Sequence, residues 1–215
     1  MKRLFFVAVC ACLCAASALA DDSINWGQLG SNRAVLSTYQ PWTSQSGQYT
    51  GTVGLTSEST FERLDQGNGW NGNFYPGDHV IWNEGGPAAH GMEFLIFFDQ
   101  LVYGGGAQIQ AAYYGEFWAS IIAFNSNGYM IGEVDKMGES NANGDGSAIY
   151  LSYLSDLPDV KYIEFYMYDI NGGESMALDQ FTIYTNAAVP EPASLALLGS
   201  GLLASIVSLR KRIGL

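Results

Sequence analysis

Residues 160–169 read VKYIEFYMYD, and from residue 162 to 168 this stretch alternates between two kinds of side chain. Ile163, Phe165 and Met167 fall on one face of an extended chain, whereas the tyrosines and Glu164 fall on the other. An apolar face opposite a polar or aromatic one is typical of a strand with one side against a core. The stretch therefore predicts an antiparallel sheet that covers a hydrophobic core.

Similar runs recur along the middle of the chain, and clusters of Gly, Asn and Asp separate several of them. The runs are AQIQAAYY at 107–114, EFWASIIAF at 116–124, YMIGEV at 129–134, SAIYLSYL at 147–154 and MALDQFTIYT at 176–185, with the continuously apolar EFLIFF at 93–98. They predict about nine or ten strands and no long helix before the tail. The fold class is all-β: a single antiparallel β-sandwich, interpreted as a jelly roll.

The first 20 residues have the pattern of an export signal. Lys2 and Arg3 precede an apolar run, and Ala18 and Ala20 form the small-x-small pattern of a signal peptidase site. Cleavage there would make Asp21 the new N-terminus. A lipoprotein cleavage at Ala11-Cys12 stays open as the alternative.

Charge and cysteine content restrict what the middle of the chain can bind. Residues 21–188 contain four Lys and Arg against twenty Asp and Glu, which is a net charge of −16. Such an acidic surface repels nucleic acid and anionic membrane, and it suits divalent cations or neutral glycans. All three cysteines lie at positions 10–14 inside the signal segment, so we expect no disulfide in the domain.

The tail, residues 189–215, combines three features in order. Val189, Pro190, Glu191 and Pro192 precede an uncharged apolar run at 193–209. These 17 residues would span roughly 26 Å as a helix, which is enough for a thin bilayer. The run ends in three adjacent cations, Arg210, Lys211 and Arg212, so the helix would place the body of the protein outside the cytoplasm.

This tail resembles the PEP-CTERM sorting signal. The resemblance implies that a membrane peptidase, the exosortase, processes the tail of an exported protein of a Gram-negative bacterium. It also implies an inner-membrane intermediate, then a place on the cell surface or in an extracellular matrix, among exopolysaccharide or biofilm. The hydrophobic tail is then an address rather than a lasting anchor.

The predicted domain at 21–188 is also similar to one group of PEP-CTERM proteins. The similar segments lie at 69–83, 106–124, 143–153 and 177–185. The body of those proteins resembles a galactose-binding-like β-sandwich. The resemblance implies a fold shared with many carbohydrate-binding modules, although fold alone does not establish sugar binding.

Exposed aromatic rings would be the basis of glycan binding, because a flat ring covers the apolar face of a sugar while amides and carboxylates bind its hydroxyls. The loop QGNGWNGNFYPGD at 66–78 contains Trp70, Phe74 and Tyr75 among such polar groups. Trp118 is the fourth candidate. Packing in the core is the competing interpretation for each of them.

Asn141, Asn143 and Asp145 stand at alternate positions before Gly146, which is how a calcium loop begins. The twelfth position of that pattern is Ser152 rather than Glu, so the segment is no EF-hand, and a polar hairpin loop is the alternative.

Asp179, with Asp65 and Asp78, forms a second candidate metal site, because the resemblance implies a structural calcium near the first and last strands. A carboxylate on the apolar face of the final run also needs a partner. Structural calcium is the one cofactor that the sequence suggests, and a domain without any cofactor is the alternative.

Catalysis has little support in the sequence. His79 and His90 are the only histidines, and residues 21–188 contain no G-x-S-x-G elbow. Residues 21–188 contain twenty Asp and Glu, so a pair of carboxylates at the spacing of a glycosidase is expected by chance and is no evidence of catalysis. We therefore expect a non-catalytic, exosortase-sorted surface or matrix protein. A calcium-assisted carbohydrate-binding module is the alternative, and a glycoside hydrolase is a more distant one.

Overall fold

The computed structural model describes residues 21–57, 59–83, 93–169 and 175–186. These residues form two sheets that pack face to face, with one short 3-10 helix at Trp26–Leu29. The prediction of an all-β sandwich of antiparallel sheets is confirmed. The predicted signal peptide at 1–20 and sorting tail at 189–215 lie outside the described residues. Within those residues, no helix has the length and apolar character needed to cross a membrane.

The described part of the chain contains fifteen strands, more than the sequence suggested, because several have only two to four residues. They are β1 Asp22–Ile24, β2 Ala34–Leu36, β3 Gln40–Thr43, β4 Thr50–Leu55, β5 Phe61–Gln66, β6 Gly69–Trp70, β7 His79–Asn83, β8 Phe94–Val102, β9 Gly104–Ala111, β10 Gly115–Phe124, β11 Met130–Ser140, β12 Ile149–Leu154, β13 Val160–Asp169, β14 Met176–Leu178 and β15 Phe181–Tyr184.

The larger sheet has nine strands in the order β1-β15-β9-β14-β7-β5-β2, with β12 also paired to β9 and β6 to β5. All of its pairs are antiparallel except the two-residue pair β5–β6. β14 and β15 lie one after the other along the same side of β9. The strand β9 is therefore the centre of this sheet.

The run at 176–185 forms two strands rather than the one that its alternation predicted. The strand is interrupted at Asp179 and Gln180. At this break the Trp26 indole Nε1 donates a hydrogen bond to the Asp179 carbonyl at 2.7 Å, and the Asp179 N–H donates to the Gln108 carbonyl at 3.0 Å. The 3-10 helix thus docks where the strand is interrupted.

The smaller sheet has six strands in the order β11-β10-β13-β8-β4-β3, and all of its pairs are antiparallel. In β13, Ile163, Phe165 and Met167 are fully buried, so the predicted inner face is confirmed. The inner faces of both sheets form the main core, where Phe181 makes ring contacts with Phe98 and Phe165 at centroid distances of 5.9 and 6.2 Å.

A second, smaller apolar cluster lies on the outer face of the larger sheet. It consists of Leu64, Trp70, Phe74, Val80, Ala148 and Ala177, with Trp82 and Ala112 packed against it. We call the segments 67–78 and 141–148 the covering loops, because they contribute Trp70, Phe74 and Ala148 to this cluster and shield it from water. The outer face of the smaller sheet has no comparable cover among the described residues.

Candidate functional site

Two of the predicted glycan-binding rings are core residues. Trp70 is 8% exposed and Phe74 is fully buried, since the first covering loop folds back over the larger sheet. Neither ring presents a face to a ligand, and their assignment to a glycan site is corrected. Tyr75 stays 59% exposed, and its ring lies against Gly146, where a Cβ atom would meet ring carbons at 2.1–2.6 Å.

Buried amides join the two covering loops to the sheet. The Gln66 side chain exchanges two hydrogen bonds with the backbone of Gly72, at 3.0 and 3.1 Å. Gln110 accepts from the Asn73 N–H at 2.6 Å and donates to the Asn141 carbonyl at 3.0 Å. Asn73 in turn accepts from the Asn141 N–H at 2.7 Å. The amides of this region are therefore used for structure.

The predicted calcium loop at 141–146 uses its side chains to shape its own turns. Asn141 Oδ1 accepts from the Asn143 N–H at 2.8 Å, and Asp145 Oδ1 accepts from the Ser147 N–H at 3.1 Å. The hydrogen bonds from Ser147 hold the pKa of Asp145 below its usual value. The loop is a polar connection between β11 and β12 that packs against the first covering loop.

The predicted trio of Asp65, Asp78 and Asp179 does not assemble. Asp65 lies 2.7 Å from the guanidinium of the buried Arg63 and 2.8 Å from His79 Nδ1, and His79 also contacts Arg63. His79, whose side chain is 36% exposed, thus forms a polar cluster with Asp65 and Arg63. Among the described residues, no three His, Asp or Glu side chains converge to hold a metal ion. The calcium site stays a prediction.

Asp78 and Asp179 contact each other through their carboxyl groups. Burial, together with this neighbouring carboxyl, raises the pKa of Asp179 to about 7. Asp78 also accepts a hydrogen bond from the Tyr75 N–H at 2.8 Å, so the pair links the first covering loop to the break between β14 and β15.

The outer face of the smaller sheet carries a row of aromatic side chains. We call this surface the aromatic face; its rings are Phe97, Trp118, Phe124, Tyr162, Tyr166 and Tyr168. They alternate with buried residues of β8, β10 and β13, so each points away from the core. Trp118 is the one predicted glycan residue on this face.

One end of the aromatic face is formed by Trp118, Tyr166 and Tyr168, which we call the tryptophan patch. Trp118 and Tyr168 are directly opposite each other on β10 and β13, and they are 42% and 44% exposed. The Tyr166 and Tyr168 ring centroids are 6.1 Å apart.

The other end is formed by Phe97, Phe124 and Tyr162, which we call the stacked patch. The Tyr162 ring lies 4.5 Å from Phe124 at an interplanar angle of 7°, and 5.0 Å from Phe97. The tyrosines at alternate positions of 162–168 were the signal in the sequence, since an outward strand face is usually polar rather than aromatic.

Carboxylates surround and divide the aromatic face. Glu164 lies between the two patches, opposite Ile122 on β10 and Leu95 on β8. Burial and the negative charge of Glu93 raise the pKa of the Glu164 carboxyl. The outward residues of β11 and β10 add Glu116, Glu133, Asp135 and Glu139. In these registered rows of β10, β11 and β13, no described outward residue is Lys or Arg. The face is therefore aromatic and negative.

Comparison with known protein families identifies the C-terminal segment. A family model for the PEP-CTERM protein-sorting motif matches residues 188–212. The chain carries this sorting motif. The match agrees with the tail predicted from Val189 to Arg212, and the motif implies export, handling by an exosortase and a surface or extracellular location.

Solved structures similar to the chain share little sequence with it. A DUF4465 family protein from Bacteroides caccae is 9% identical, with 78% of this chain and 100% of that chain covered and a TM-score of 0.48. The K2 cleaved adhesin domain of Lys-gingipain is 13% identical, with 77% and 100% covered and a TM-score of 0.37. A family 11 carbohydrate-binding module from Clostridium thermocellum, in complex with a β-1,3-1,4-mixed-linked tetrasaccharide, is 12% identical, with 80% and 99% covered and a TM-score of 0.32. The comparison with curated proteins found no match.

Proposed function

We propose that the protein is a non-catalytic component of the cell surface or extracellular matrix that binds exopolysaccharide through its aromatic face. The sorting motif at 188–212 supports the location. The observation that carries the binding proposal is the pair Trp118 and Tyr168, two large rings at directly opposite positions of β10 and β13, each more than 40% exposed. Exposed rings in such an arrangement are a surface on which sugar rings can stack.

The experiment measures binding of the full-length chain, held in a zwitterionic detergent, to the exopolysaccharide of the host. We expect that exchanging Trp118 and Tyr168 together for alanine lowers the affinity at least tenfold, because each ring would lose its contact with a sugar. Tyr150→Ala is the matched control, since Tyr150 is also an exposed ring but lies on β12 of the other sheet. Wild-type affinity in the double variant would refute the proposal.

A calcium-assisted form of this function is the second candidate. The contact between the Asp78 and Asp179 carboxyls favours it, because two adjacent carboxylates need a proton or a cation between them. We expect calcium at pH 8 to raise the melting temperature of the wild type but not that of Asp179→Asn. An equal effect on both proteins would contradict a calcium site at this pair.

A further inference from the structure

We infer that the ligand of the aromatic face is an uncharged polysaccharide chain that lies along β10 and β13 and contacts both aromatic patches at once. This inference rests on the proposed function and specifies its ligand. It follows from the spacing of the two patches and from the charges around them.

The spacing comes from the register of the strands. Trp118 and Phe124 lie on the same side of β10, six residues apart, which is about 20 Å at the rise of an extended strand. Tyr168 and Tyr162 repeat this interval on the neighbouring strand. Between the patches the outward side chains are Ser120, Ile122 and Glu164, none of which would block a chain that runs along the sheet.

Charge selects against an acidic ligand. Glu164 lies at the middle of the path, and Glu133 and Asp135 lie beside it on β11. No Lys or Arg occupies the registered outward rows of these strands, and Lys161, at the bulge before Tyr162, already donates to the Phe98 and Asp99 carbonyls. The anions of a polyuronate or sulfated polymer would therefore meet mainly carboxylates. The same carboxylates can accept hydrogen bonds from sugar hydroxyls. They also oppose association of two aromatic faces, since each would present its acids to the other.

The first experiment compares uncharged polymers with an acidic one, and two of them, hydroxyethylcellulose and carboxymethylcellulose, share the cellulose backbone and differ in charge. Hydroxyethylcellulose and galactomannan serve as uncharged probes, and carboxymethylcellulose serves as the acidic probe, in affinity electrophoresis of the full-length chain at low salt. We expect at least one uncharged polymer to bind at least tenfold more tightly than carboxymethylcellulose. Glu164→Gln should reduce this difference severalfold, because it removes the central charge and keeps the side-chain volume.

The second experiment tests whether one chain contacts both patches. If it does, Trp118→Ala and Phe124→Ala should each lower the affinity about tenfold without changing the amount of polymer bound at saturation. Two independent sites would instead give half the capacity with unchanged affinity, and that result would overturn the inference. Phe124→Leu, which keeps most of the volume, controls for loss of folding, and melting temperatures are recorded for every variant.

The outcomes separate the inference from the function beneath it. No binding of host exopolysaccharide by the folded wild type would refute both. Binding of host exopolysaccharide that needs Trp118, without binding of any uncharged polymer, would leave the proposed function and refute the inference. Equal binding of carboxymethylcellulose, or self-association that disappears in Trp118→Ala, would also overturn it.

Discussion

Asp65 is placed between two basic side chains, at 2.7 Å from the Arg63 guanidinium and 2.8 Å from His79 Nδ1. Arg63 is almost completely buried, so its positive charge needs this carboxylate as a counter-charge. We predict that Asp65→Asn lowers the free energy of unfolding by about 3 kcal/mol, because it leaves a buried cation without its counter-charge. Urea unfolding measures this loss.

Glu62→Gln is the control for that experiment, since Glu62 lies on the same strand and its side chain points to the opposite face. Replacing the pair together, as Arg63→Met with Asp65→Leu, should recover much of the loss, because no buried charge remains. An Asp65→Asn protein as stable as the wild type would show that the pair contributes nothing.

Asp179 gives the protein a specific dependence of stability on pH. Its pKa is about 7 in the folded state, because it is buried and contacts Asp78, whereas the unfolded value is 3.8. Between these values the folded state binds more protons, so the free energy of unfolding falls as pH rises from about 4 to 7, by at most about 1.4 kcal/mol per pH unit. Thermal melts across this range should show the decline in the wild type and a flatter profile in Asp179→Asn. The same decline in both would exclude Asp179 as its origin.

Single residues also show what the sequence could not reveal. Trp70 and Phe74 stand among Gly and Asn, which is the composition of an exposed loop, yet both are buried. Their burial depends on the outer face of the larger sheet being apolar, with Val80 and Ala177 beneath the loop. That contact joins segments distant along the chain, and no local pattern contains it.

At the scale of elements, side-chain amides attach the two covering loops to each other and to the larger sheet, in addition to the two-residue pairing of β6 with β5. Asn73 is the central residue, because it accepts from the Asn141 N–H and donates to the Ser147 hydroxyl at 2.8 Å. We predict that Asn73→Ala lowers the free energy of unfolding by about 1–3 kcal/mol, since it leaves buried polar groups without partners. Asn71→Ala, an exposed neighbour in the same loop, is the control in chemical denaturation. Equal effects of the two changes would contradict this role.

The strands differ in how far their sequences predicted them. β13 alternates over residues 162–168, and its two faces there are as predicted, because one side meets only the core. The run at 176–185 alternates too, but the Trp26 indole binds the Asp179 carbonyl and the strand is interrupted there. A hydrogen bond across 153 residues of sequence separation cannot be found from periodicity.

β11 is an eleven-residue strand at the edge of the smaller sheet, and such an edge can pair with another molecule. Glu133 and Asp135 project from β11 on the outer face. If the same edge of a second copy paired antiparallel with β11, in a register centred near these residues, they would lie opposite the acids of that copy and repel them. We predict that Glu133→Thr with Asp135→Thr causes self-association at micromolar concentration, measured by light scattering. Glu116→Thr on β10, the strand next to this edge, is the control. A double variant that stays monomeric would refute the prediction that these two acids prevent pairing at the edge.

At the scale of the whole molecule, the last strand of the described chain is an internal strand of its sheet. β15 pairs with β1 through Ile183 and Asp22, and with β9 through Ile183 and Gly105, so the first and the last strands are neighbours. Phe181 and Ile183 are fully buried in the main core. The sandwich is therefore incomplete until residue 184 is in place, only a few residues before the sorting motif begins at 188.

This arrangement predicts a sharp difference between two truncated chains. Residues 21–186 should fold and unfold cooperatively, because every described strand keeps its partners. Residues 21–180 should not, since they lose two buried side chains and leave β1 without its partner strand. Circular dichroism during heating, with limited proteolysis, distinguishes the two. Removing only residues 185–186, which follow β15, controls for the effect of shortening. Cooperative unfolding of 21–180 would mean that the sandwich closes without β15. The domain would then be able to fold before its sorting tail has been synthesised, without waiting for β15.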